Sequence, residues 1–172
     1  MGEVNGCWQG WQQHLSDAAA TRQLGSELAA LLLSKGPRLL LLQGDLGAGK
    51  TCLVQGLAQG MGITEPITSP TFALAQHYSG LGADGQPHAL VHLDLYRLEQ
   101  PEAAEELFAQ EEEALDLGAV LAVEWPQRLR FTPGPAWQVQ LLFDADGRRA
   151  LVQAPGGRSG RQATSSERLD RR

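Results

Sequence analysis

The sequence predicts an α/β fold in three layers, helix, sheet, helix, with a mostly parallel sheet and an antiparallel hairpin at its C-terminal end. Two observations carry that expectation. Short apolar runs of strand length alternate along the chain with stretches of helical spacing, the order that builds parallel sheets covered by helices. The last two runs, "WQVQLLFD" and "RRALVQA", instead flank "ADG" and read as a hairpin.

Taken in order, "SDAAATRQLGSELAALLLSKG" predicts a helix. Ser16 stands as its N-cap, Leu24, Leu28, Leu31 and Leu32 fall at helical spacing, and Gly36 followed by Pro37 ends it. "RLLLLQG" is a continuous apolar run, as a strand buried on both faces requires, and "KTCLVQGLAQGMG" reads as a helix ending near Gly60 or Gly62. A polar loop, "TEPITSPT", leads to the strand "FALAQHYS", the turn-rich "GLGADGQP" and the strand "HALVHLD". The helix "QPEAAEELFAQEEEAL" and the strand "GAVLAVEW" follow, and then the terminal hairpin. No internal repeat is visible.

At 172 residues the chain suits one domain, expected over residues 1–155. Hydrophobic residues at 42% and charged residues at 20% are ordinary for a globular protein, and no apolar run approaches the roughly 20 residues a membrane span needs. The N-terminus has neither the basic start nor the apolar core of a signal peptide, so a cytoplasmic protein is expected. Two cysteines, Cys7 and Cys52, are too few for a disulfide framework and read as reduced thiols. Residues 1–155 carry a net charge of −9 and residues 156–172 one of +3. An acidic body is a poor match for a phosphate backbone, which disfavours direct gripping of nucleic acid by the folded part. The Gly-, Ser- and Arg-rich tail has little to bury and is expected to be disordered.

One strand run opens into "GDLGAGKT", in which Gly44, Gly49, Lys50 and Thr51 fit G-x-x-x-x-G-K-[ST], with Asp45, Leu46, Gly47 and Ala48 between them. This P-loop pattern stands between an apolar strand and a helix, where the chemistry requires it. Glycines let the backbone close around phosphate oxygens, so that successive N–H groups and the helix N-terminus face the anion. Lys50 is then the partner of the β- and γ-phosphates and the Thr51 hydroxyl a ligand of Mg²⁺. Such a loop needs a carboxylate on a neighbouring strand. Asp94 ends the run "LVHLD" and Glu124 ends "AVLAVE", and both are expected beside the loop, at the carboxyl edge of the sheet.

"GDLGAGKT", then "TSPTF", then "HLDLYRL", then "VEWPQR" resembles in content and order the TsaE family, the ATPase subunit of the bacterial machinery that makes threonylcarbamoyladenosine in tRNA. The resemblance runs from Ser16 to Arg130. It implies a P-loop NTPase fold and an ATPase that works with two partners, a threonylcarbamoyltransferase subunit and its companion protein, with tRNA reached indirectly through them. Carried over residue by residue, it implies that Gly44 to Thr51, with Cys52 beside them, bind ATP, that Thr51 and Glu124 bind Mg²⁺, and that Asp94 serves hydrolysis. It further implies that Thr68 to Phe72, with Ser69 and Thr71 flanking Pro70, sense the γ-phosphate, and that the segment around Thr21 lies near the adenine. Cys52 departs from the family, in which a second threonine is common.

Other readings stand beside this one. A small-molecule kinase shares the P-loop but needs an arginine-bearing lid, for which only Arg128 and Arg130 follow Glu124. A nucleotide-sensing docking module would hardly hydrolyse. No N-K-x-D element for guanine is present. His14, His77, His88 and His92 show no metal-binding spacing and read as core or surface residues. Trp125 is open between core packing and a contact to nucleotide or partner. The eight acids between Glu99 and Asp116, with no Lys or Arg among them, read as a solvated helical face or a surface for a basic partner.

Overall fold

The computed structural model describes residues 10–34, 36–70 and 74–156. Cys7, Thr71, Phe72 and the expected tail beyond residue 156 lie outside the described residues. The elements are β1 (Gly10–Leu15), α1 (Ala18–Ser34), β2 (Leu39–Gly44), α2 (Lys50–Gly60), β3 (Ala75–Leu81), β4 (Pro87–Asp94), α3 (Pro101–Asp116), β5 (Val120–Glu124), β6 (Trp137–Asp144) and β7 (Gly147–Gln153), with a 3-10 turn at Pro126–Arg128.

All seven strands form one sheet in the order β1-β7-β6-β2-β5-β4-β3. The four central strands are mutually parallel, through the ladders β2–β6, β2–β5 and β4–β5. The remaining three ladders, β1–β7, β6–β7 and β3–β4, are antiparallel. The sheet is therefore mixed rather than mostly parallel, and the reason is connection length. β3 and β4 are joined by a tight turn, closed by Gly82 N–H to Gln86 O at 2.9 Å, and strands joined this closely pair only as a hairpin. The terminal hairpin stands as expected, with Asp144 opposite Gly147.

Period-two alternation sorts the strands' side chains between two cores. Leu40, Leu42, Leu90, Val120 and Ala122 face α1 and α2, whereas Leu39, Leu41, Val91, Leu93, Leu121 and Val123 face α3. Each of the four leucines of β2 is at most 4% exposed, which explains the unbroken apolar run; each contributes roughly 1.5–3 kcal/mol by burial. On one face, α1 and α2 pack so closely that a Cβ at Gly56 would collide with the Arg22 carbonyl. On the other, α3 buries only Ala104 and Phe108, one turn apart, and leaves its acids outward. Gln100 enters α3 in extended backbone and Pro101 takes its first turn, where a missing N–H is of no consequence.

Two local expectations are corrected. α1 is capped by Asp17, whose Oδ1 accepts the Ala20 N–H at 2.8 Å, and not by Ser16. Both residues are cap formers, and apolar spacing cannot choose between neighbours. β1 carried no strand signal, because only Leu15 of its six residues is buried; its partner β7 supplies the backbone bonds that make it a strand. Among the described residues, no helix is long and apolar enough to cross a membrane.

Candidate functional site

Three of the central parallel strands end at one edge: β2 at Gly44, β4 at Asp94 and β5 at Glu124. Asp94 and Glu124 are direct partners in the β4–β5 register, and Leu42 is the β2 partner of Glu124. Parallel pairing thus brings the two acids beside the loop between β2 and α2. That loop turns inward through Gly49, whose left-handed backbone (φ 109°, ψ 19°) would strain a side chain, and α2 begins at the next residue.

Lys50 opens α2 yet is only 5% exposed. Its Nζ donates to the carbonyls of Gly44 at 2.6 Å and Asp45 at 2.9 Å and lies 4.7 Å from the centre of the Trp125 ring. Burial lowers its pKa from the ordinary value, against the pull of Glu124, Asp94 and Asp45. Thr51 Oγ1 donates to Glu124 Oε1 at 3.1 Å, and His92 Nε2 stands 2.8 Å from the same oxygen. Asp94 Oδ1 accepts the Tyr96 N–H at 3.0 Å. Burial raises the Asp94 pKa, the Tyr96 N–H opposes that shift, and the nearby Glu124 adds to it.

Lys50, Thr51, Asp94 and Glu124 line a cavity of about 290 Å³ that Leu46, Cys52, Ser69 and Trp125 also border, with His92 buried behind it. A second cavity of about 230 Å³ shares Gly47, Gly49 and Cys52 with the first and is bordered by Asp17, Thr21 and Arg148. Of the residues expected from sequence, Leu46, Gly47, Gly49, Lys50, Thr51, Cys52, Ser69, Asp94, Glu124 and Trp125 come together at the first cavity, Gly44, Asp45 and Ala48 do not border it, and Thr21 lies across the loop at the second. Gly44 and Ala48 offer only backbone, since the Ala48 side chain is in the core. Leu46 points outward, 61% exposed. Thr71 lies outside the described residues.

Three further residues at or beside the site carry little signal in the sequence. His92 sits in an apolar row on β4, and only its period-two spacing from Asp94 hinted at a site. Arg148 donates to the Gly47 carbonyl at 3.2 Å across 101 residues. Tyr96 packs against Trp125 with the rings tilted by 44° and their centres 4.8 Å apart, and its carbonyl accepts Arg128 Nη2 at 2.9 Å. Arg130 faces away, its guanidinium held by Glu105 at 2.7 Å and Glu102 at 3.0 Å.

Chemically, a glycine loop at a helix N-terminus with a buried ammonium suits a phosphate anion. A hydroxyl and a carboxylate 3.1 Å apart are hard oxygen donors of the kind that suit Mg²⁺ together with phosphate oxygens. Among the described residues, no group of three or more His, Cys, Asp or Glu is placed to hold a metal by itself.

Comparison with known proteins gives a consistent result. The family model for the threonylcarbamoyl adenosine biosynthesis protein TsaE matches residues 15–151. The tRNA threonylcarbamoyladenosine biosynthesis protein TsaE of Nostoc sp. is 41% identical over 144 residues, 82% of this chain and 83% of that protein. Its counterpart from Synechocystis sp. is 48% identical over 122 residues, 69% of this chain and 72% of that protein. The crystal structure of Bacillus subtilus YdiB is similar at a TM-score of 0.59 and 26% identity, covering 86% of this chain and 85% of that one.

Proposed function

The chain belongs to the TsaE family of threonylcarbamoyladenosine biosynthesis proteins, and from that premise we propose that it is a P-loop ATPase whose turnover of Mg-ATP supports formation of that nucleoside in tRNA, in the cytoplasm. The observation that carries the reading is the convergence of Lys50, Thr51, Asp94 and Glu124 on one cavity beside the glycine loop. In this reading the N–H groups of Gly47 to Thr51 cradle the phosphates and Lys50 neutralises the β- and γ-oxygens. Thr51 and Glu124 hold the Mg²⁺, which when bound would offset phosphate charge as the γ-phosphoryl departs. Asp94 orients the attacking water, Ser69 and Thr71 sense the γ-phosphate, Cys52 and Trp125 flank the nucleotide, and Thr21 lies beside the adenine.

Hydrolysis also gains from a positive charge on the transferring phosphoryl, worth roughly 10³–10⁵ in rate. Arg130 is engaged by Glu105 and Glu102, Arg128 by the Tyr96 carbonyl, and Arg148 by the Gly47 carbonyl. The proposal therefore assigns that charge, or the loop closure that replaces it, to the partner threonylcarbamoyltransferase and its companion protein. The test follows ATP consumption and tRNA modification together, with the chain alone and with both partners. Slow turnover alone and fast turnover in the assembly are expected; equal turnover in the two would overturn partner dependence, and no nucleotide turnover in either would overturn the ATPase.

A further inference from the structure

We propose that His92 is the positioning residue of the cation-binding carboxylate, holding Glu124 through Oε1 so that Oε2 is presented to a divalent cation. The inference rests on the reading of Thr51 and Glu124 as the Mg²⁺ ligands.

His92 lies on β4 among residues that face α1 and α2, in a layer otherwise built from Leu40, Leu42, Leu90, Val120 and Ala122. It is fully buried. An imidazole in such a layer costs free energy unless it is bonded, and a leucine would fill the space without that cost. Its Nε2 stands 2.8 Å from Glu124 Oε1, while its Nδ1 is buried and has no hydrogen-bond partner among the described residues. Because a carboxylate only accepts, Nε2 carries the hydrogen in this bond and Nδ1 is left as the acceptor nitrogen. One ring nitrogen therefore has a single task, which is to hold Glu124.

The strand register explains why the reach is right. His92 pairs with Ala122, and Glu124 follows two residues later on the same face of β5, so the two side chains meet on the diagonal. Glu124 is itself only 3% exposed, and a carboxylate buried that deeply needs donors. Thr51, its other donor, is also the second cation ligand, so a hold that persists as the cation comes and goes must come from outside the site. His92 supplies it from the core. Both bonds fall on Oε1, and Oε2 carries neither. A ligand oriented from behind in this way is held in register for its ion, and loss of such an outer partner costs about 10- to 100-fold in metal affinity.

The experiment measures ATP affinity by calorimetry in Mg²⁺ and in EDTA for the wild type, His92→Leu and His92→Gln. We expect His92→Leu to lose about 10- to 100-fold in Mg²⁺ and to match the wild type in EDTA, with His92→Gln recovering most of the loss because its amide can still donate to Glu124. Equal losses in both buffers would make His92 a packing residue and overturn the proposal. So would an unaltered His92→Leu beside a wild type that needs Mg²⁺, which leaves the metal reading intact. A wild type that binds equally in Mg²⁺ and EDTA would overturn the metal reading itself, and this inference with it. If His92→Leu does not fold, His92→Asn, too short to reach Glu124, replaces it in the same comparison.

Discussion

The Lys50 ammonium and the Trp125 ring face each other at 4.7 Å, and Trp125 holds its ring there from a left-handed backbone (φ 59°, ψ 46°) that few bulky residues adopt. The strain falls where β5 ends and the 3-10 turn begins, immediately after Glu124. A cation over a desolvated indole gains about 2 kcal/mol, comparable to the cost of holding an L-residue left-handed.

That strain can be measured. Trp125→Gly and Trp125→Ala both remove the ring, but only glycine adopts the left-handed backbone freely. Trp125→Gly is expected to be the more stable of the two by about 1 kcal/mol in chemical denaturation. Equal stabilities would show that the backbone conformation stores no strain.

Lys50→Ala is expected to lower ATP affinity by about 10- to 100-fold, the worth of a charge-assisted hydrogen bond in the 1.5–3 kcal/mol range. Isothermal calorimetry reads the change directly. Lys50→Arg should not restore affinity, because carbonyls at 2.6 and 2.9 Å fit a compact ammonium and not a planar fork. An arginine variant with native affinity would place the phosphate elsewhere.

Asp94→Asn is expected to bind ATP as the wild type does and to lose about 10²- to 10⁴-fold in phosphate release measured with the partners present. The Tyr96 N–H that the carboxylate accepts can be accepted equally by the amide oxygen, so the side chain stays in place. A variant with native turnover would remove Asp94 from the reaction.

Acid should loosen the junction between α3 and the segment after β5. Side-chain bonds from Arg130 hold the Glu105 carboxyl down at about 2, below its ordinary 4.5. A lowered folded-state value means that the contribution is complete above about pH 4.5 and is lost as pH falls from there through about 2. Arg130 is exposed and Glu105 partly so, so the effect is small and screened by salt. Carboxyl-carbon NMR titration should show Glu105 returning toward its ordinary value in Arg130→Ala; an unmoved titration would mean that another group depresses it.

What was legible in the sequence was what is local in the chain. The glycine loop declares itself because close backbone approach and a lysine at the helix start leave few other residue types. Asp94 and Glu124 were readable because each ends an apolar run. The mutual contacts were not. His92 meets Glu124 across 32 residues, and only the β4–β5 register reveals it. Arg148 reaches Gly47 because β7 folds back along β6, a pairing that leaves no mark on residues 39–51. β1 is an edge strand with one buried residue and therefore has no alternation to read. Alternating strands and helices predict a mostly parallel sheet because they imply crossovers, whereas the short β3–β4 connection closes a hairpin.

The strand order also has a consequence for synthesis on the ribosome. β2, which delivers the glycine loop, lies between β5 and β6 in the sheet. A nascent chain that has exposed residues 39–51 holds the whole glycine-loop sequence but no ladder to support it, and must wait until Val120–Glu124 and then Trp137–Asp144 have emerged. Long-range pairing of this kind is slow to nucleate and leaves an apolar strand unprotected in the meantime. Competence for nucleotide should therefore arise abruptly and late in elongation, with truncated chains ending before β5 being customers of chaperones and not weak binders of ATP.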